Sequence, residues 1–157
     1  MDQNTVQDFE KYLQNGKIIF LYDGLCNLCY GTVKFFYNRN PSKFEFINLQ
    51  SVIKDNQLVE TFQIPTSLNA VTIIQGTSDQ TLNNQNQFKK PFRVLYKSQA
   101  IQECLKELKQ PWCFMGFIIQ LIPLVIKDFG YDLIGGFRYK IFGKSDQICQ
   151  IQRKQKQ

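Results

Sequence analysis

Histidine is absent from the 157-residue chain. That absence excludes a Cys-His nucleophile pair, a Ser-His-Asp triad and any imidazole metal ligand, leaving thiol, carboxylate, amine and phenol chemistry. Cysteine is sparse and odd in number: five residues spread from Cys26 to Cys149 do not form the dense, even framework of a small secreted scaffold. A second CxxC is also missing. Zinc held by Cys26 and Cys29 would need two further ligands from Cys104, Cys113, Cys149 or carboxylates, so no metal or other cofactor is expected.

The amino-terminal stretch lacks a continuous apolar run and carries Asp2, Asp8 and Glu10, which argues against a secretory leader and against an Arg-rich organellar presequence. Val6, Phe9, Tyr12 and Leu13 instead predict a short amphipathic helix within an N-terminal extension, residues 1–16. No apolar run is long enough to cross a bilayer. The longest, Trp112–Ile126, would reach about 22 Å as a helix, against a hydrocarbon core of roughly 30 Å, and Pro123 interrupts it.

What is present suffices for a packed domain. Hydrophobic residues make up 43% and aromatics 14%, with 14 Phe. A chain of this length buries roughly 68–70% of its unfolded surface, so no staple is required. Nineteen Lys plus Arg against 13 Asp plus Glu leave a net charge of +6, which favours anionic surfaces. The basic residues are scattered until Arg153-Lys154-Gln155-Lys156, in a basic tail at 150–157 too short and aromatic-poor to predict nucleic-acid binding.

Lys17–Tyr22 reads as a buried strand, and the three-and-four spacing of Cys29, Val33, Phe36 and Tyr37 predicts a helix from Cys26 to about Asn40-Pro41. Phe44–Leu49 is the next strand, and Ser51 is placed as the cap of a helix running to Gln63. Ala70–Gln75 and Phe92–Tyr96 predict an antiparallel pair joined by a long polar loop, 76–91. Ser98 then opens a helix with Ile101, Cys104, Leu105 and Leu108 on its apolar face. The Trp112–Ile126 run is read first as a buried helix completing the core and second as a docking surface for a membrane or partner.

The chemistry concentrates at the first strand-to-helix hinge, Asp23-Gly24-Leu25-Cys26-Asn27-Leu28-Cys29. Unpaired N–H groups and the positive end of the macrodipole at a helix start favour a thiolate, which makes Cys26 the nucleophile. Cys29, one turn on, is placed to resolve a mixed disulfide on Cys26. The alternatives are half a zinc site, a structural disulfide or two idle thiols. The redox reading requires the sulfur pair to lie exposed. Asp23 is either a proton acceptor for Cys29 or the cap of the turn. Cys104 and Cys113 are read as inert, and Arg138 and Lys140 as either an anion site or a solvated face.

The chain resembles the DCC family of thiol-disulfide oxidoreductases, small thioredoxin-like proteins. The family signature, an aspartate and two residues before a CxxC, matches Asp23, Cys26 and Cys29, with Gly24, Asn27 and Leu28 also fitting. Phe46–Ser51, Ser98 and Ala100, Pro111-Trp112, Ile122-Pro123, Tyr131-Asp132, Arg138-Tyr139, Phe142-Gly143 and Cys149 extend the likeness over residues 17–149. The loop at 76–90 is longer than the family's turn, and the tail after Cys149 has no counterpart. Thioredoxins also place a cis-proline before the third strand, where this chain has Asn69; Pro65 comes too early.

The resemblance implies an α/β fold: a thioredoxin-like mixed sheet flanked by helices, with an additional C-terminal helical segment. It also implies an enzyme acting on a protein or small-thiol disulfide. The competing function is an accessory subunit of a larger complex, held through Trp112–Ile126 and the 76–91 loop, with peripheral membrane contact. The apolar run, the basic tail and the 19 glutamines suggest a mitochondrial location for such a subunit, with the cytoplasm as the alternative.

Overall fold

Ile18–Tyr22, the strand β1, is buried along its whole length, and the alternation of a strand sends its side chains to two separate cores. Ile18, Phe20 and Tyr22 join the core on one face and Ile19 and Leu21 the core on the other. Such two-sided burial marks a central strand. The computed structural model describes residues 5–65, 71–77 and 92–144.

Those residues form the order α1 (Val6–Gln14), β1, α2 (Asn27–Arg39), β2 (Phe44–Asn48), α3 (Leu49–Val52), α4 (Asn56–Phe62), β3 (Thr72–Gly76), β4 (Phe92–Tyr96), α5 (Lys97–Lys106), α6 (Trp112–Gln120) and α7 (Leu124–Phe142). The four strands make one mixed sheet in the order β2-β1-β3-β4, with β2 parallel to β1 and the other neighbours antiparallel. This is the α/β, thioredoxin-like arrangement expected from the sequence. The core around Phe20 takes Val33 and Phe36 from α2 and Ala100 and Cys104 from α5. The opposite core takes Phe9 from α1 and Leu58 and Phe62 from α4. The amphipathic N-terminal helix is present, started by a Thr5–Asp8 capping box.

Two elements differ from expectation. The helix placed from Ser51 to Gln63 is two helices: the Asn48 side chain, not Ser51, accepts from the Ser51 N–H to start α3, and Asp55 accepts from Gln57 and Leu58 to start α4. Two short polar caps seven residues apart outcompete one continuous helix. The apolar run is not a buried helix either. It bends by 115° between α6 and α7, and Phe114 (60% exposed), Leu121 (84%) and Val125 (80%) face outward. Pro123 ends the first helix, and only Gly116 of α6 is buried, pressed on α5. No single helix among the described residues is long and apolar enough to cross a membrane.

Candidate active site

Strand β1 stops at Tyr22, and the three residues that follow turn the chain into α2. Asp23 builds that turn. Its Oδ1 accepts from the Leu25 N–H at 3.0 Å and from the Gln50 amide at 2.6 Å, while Gln50 Oε1 takes the Gly24 N–H at 3.0 Å. Gln50, on α3, thus clamps both sides of the hinge. The turn delivers Cys26 to the N-cap of α2, where its Sγ accepts from the Cys29 N–H at 3.3 Å. A sulfur in that position satisfies one of the helix's unpaired donors and sits at the positive end of its dipole.

The two thiols are free and approach within 3.1 Å. Their proton affinities are driven apart. Cys26 falls from 9.0 to about 6, chiefly because the Cys29 thiol donates to it. Burial opposes that shift, the Cys29 N–H and the Arg138 charge reinforce it, and the Asp23 charge opposes it. Cys29 moves strongly upward for the reciprocal reason, since it holds the shared proton, is buried and faces the Cys26 charge. Near neutral pH the pair is a thiolate at Cys26 and a thiol at Cys29.

The other oxygen of Asp23 is held by α7. Arg138 pairs with Oδ2 at 3.3 Å, with both side chains almost fully buried, and the Tyr139 hydroxyl donates to the same oxygen. Arg138 is therefore not on a solvated face, whereas Lys140 is exposed. Asp23 does cap its turn, and its remaining oxygen is engaged as well. Gln50 and Tyr139 carry no role in the sequence reading, and the anion site read at Arg138 is filled by the carboxylate of Asp23.

The expectation of an exposed sulfur pair is overturned: Cys26 is 1% exposed and Cys29 5%. The end of α7 lies across them. Asn27 donates its side-chain amide to the Phe142 carbonyl at 3.0 Å, and Cys26 forms an antiparallel bridge with Lys144. Asp23–Arg138 anchors this strap from below. Burial here goes with two segments 115 positions apart meeting at the hinge, which no local pattern records.

Among the other thiols, Cys104 is fully buried and burial pushes it well up, as expected of an inert core residue; Cys113 is only half-buried. Cys149, Asn69, most of the 76–91 loop and the basic tail lie outside the described residues. Among the described residues, no group of three or more Cys, Asp or Glu side chains is arranged to hold a metal ion.

Comparison with known proteins agrees with this geometry. The family model for DCC1-like thiol-disulfide oxidoreductases matches residues 20–144. A chloroplastic DCC family protein of Arabidopsis thaliana is 31% identical over 135 residues, 85% of this chain and 69% of that protein. YuxK of Bacillus subtilis is 30% identical over 136 residues, 85% of each chain. No solved structure matches.

Proposed function

Given that the chain belongs to the DCC1-like thiol-disulfide oxidoreductase family, we propose that it exchanges disulfides through Cys26 as nucleophile and Cys29 as resolving thiol. The observation that carries this reading is the sulfur pair at the start of α2, 3.1 Å apart, with Cys26 accepting from the Cys29 N–H, an arrangement that lowers the proton affinity of Cys26 and raises that of Cys29.

In the direction that reduces a substrate, Cys26 Sγ attacks one sulfur of a protein or small-molecule disulfide. A mixed disulfide forms and the other substrate sulfur leaves as a thiolate, which takes a proton from solvent. Cys26 is then uncharged and no longer accepts from the Cys29 thiol. The largest cause of the upward shift at Cys29, its bond to Cys26, vanishes together with the Cys26 charge, while burial still raises it and Arg138 still favours its ionised form. Cys29 loses its proton and attacks Cys26 Sγ, releasing the second substrate thiolate and leaving a Cys26–Cys29 disulfide. Two electrons pass to the substrate, and reversal of each step oxidises a dithiol. Asp23 holds Arg138 and the turn in register; its service as the proton acceptor for Cys29 is part of this proposal.

Access requires residues 142–144 to move off the sulfurs, because a visiting disulfide must approach Cys26 in line. The test is turnover of a disulfide substrate. Cys26→Ser abolishes it, and Cys29→Ser accumulates the mixed disulfide. Turnover undiminished in Cys26→Ser overturns the assignment. A second reading, an accessory subunit with little turnover, is favoured by the outward apolar face of α6 and α7; co-purification with a large complex that is unaffected by Cys26→Ser supports it. An organellar or cytoplasmic location suits either reading, since one relative is named chloroplastic; a mitochondrial one has no support from the relatives.

A further inference from the structure

The polarity of α7 is turned inside out. With about 100° between successive residues, Val125, Phe129, Leu133, Ile134, Phe137 and Ile141 share the half of the helix that faces away from the domain, and each is 48–80% exposed. The half that faces the domain carries the polar groups. Asp128 accepts from the Ser98 hydroxyl, Asp132 pairs with Lys97 at 2.8 Å, Lys127 donates to Gln102 at 2.7 Å and Arg138 pairs with Asp23.

Both carboxylates of α7 are thus spent on the domain. Helix α6 carries no charged residue and adds Phe114, Phe117 and Ile118 to the outward surface. Among the described residues, the charges left beside it are cations: Lys140 lies near Phe137 and Lys144 near Tyr139. Such a contiguous apolar surface is rare on a monomeric protein in water. Among the described residues, an apolar half-cylinder that carries a lysine near its C-terminal end and no unpaired acid is the pattern of a helix lying in a lipid headgroup layer.

We infer that α6 and α7 form an in-plane docking surface for an anionic membrane, with α7 lying flat along it. At roughly 1.5 Å per residue its length is about 28 Å, laid in the interface and not across it. A second copy of the chain would bury the same apolar side chains, yet it would bring together two faces that each carry Lys140. The net charge of +6 favours the lipid surface over that pairing. This inference stands apart from the thiol chemistry, since it is read as vesicle binding and not as turnover.

Flotation of the full chain with phosphatidylcholine vesicles, with and without phosphatidylserine, tests it. The wild type floats with the serine-containing vesicles, less so at high salt, and remains largely in the aqueous fraction with phosphatidylcholine alone. Phe129→Ser combined with Leu133→Ser weakens binding by roughly tenfold or more through lost apolar burial, with an unchanged circular dichroism spectrum because both residues are exposed. Lys140→Glu weakens it as well, by reversing a charge while every apolar side chain of the face is kept. The inference is overturned if the wild type ignores anionic vesicles, if both variants bind as the wild type does, or if light scattering shows a stable dimer that Phe129→Ser with Leu133→Ser dissociates while no form binds vesicles.

Discussion

Ionisation of Cys26 is readable as the growth of thiolate ultraviolet absorbance, and its midpoint should fall at about 6 instead of near the ordinary thiol value. The sign follows from a lowered value: the reactive anion is present above that pH and is lost as acid is added through it. Arg138→Met removes a cation that favours the thiolate and should move the midpoint up. Asp23→Asn removes an opposing anion and should move it down. Arg138→Met also leaves the buried Asp23 charge without its ion pair, and breaking such a pair typically costs about 3–5 kcal/mol, measurable by denaturant unfolding. The thiol pair was legible from its spacing, and Asp23 from its place in the turn and in the family signature. Arg138 and Tyr139 were not given their roles, because their partner lies more than a hundred positions away.

At the scale of elements, hydrophobic period and polar caps made β1, α2, β2 and the hairpin strands legible. Periodicity merged α3 and α4, since apolar spacing continues across 49–62 and only the competing caps at Asn48 and Asp55 reveal the break. The α6–α7 run shows a different limit. Composition reports that side chains avoid water, and says nothing about whether the domain or another surface covers them. What holds α6 down is backbone proximity: a methyl group at Gly116 would meet the Lys106 nitrogen at 3.2 Å and the Gln102 carbonyl oxygen at 3.3 Å. Gly116→Val should therefore force α6 off α5 and lower stability by about 1–3 kcal/mol, seen as a lower Tm with activity retained in the folded fraction.

For the whole molecule, the sheet brings the hinge and the chain's later third together, so that the helix bearing Arg138 both stabilises the reactive sulfur and covers it. The two roles separate on mutation. Asn27→Ala deletes the bond to the Phe142 carbonyl, an exposed contact, and leaves Asp23–Arg138 in place. It should speed alkylation of Cys26 severalfold while shifting Tm little, with hydrogen exchange rising at residues 142–144. Equal alkylation rates in Asn27→Ala and wild type would show that the strap does not limit access.

Thiol-disulfide exchange at the hinge is tested most directly by equilibrating the full chain against glutathione buffers of graded redox poise and mapping its cysteine-containing peptides by mass spectrometry. The account predicts one cooperative two-electron transition in which Cys26 and Cys29 become linked to each other while Cys104 stays reduced. Free thiols at both positions across the whole range, or a link from either of them to a different cysteine, would contradict it.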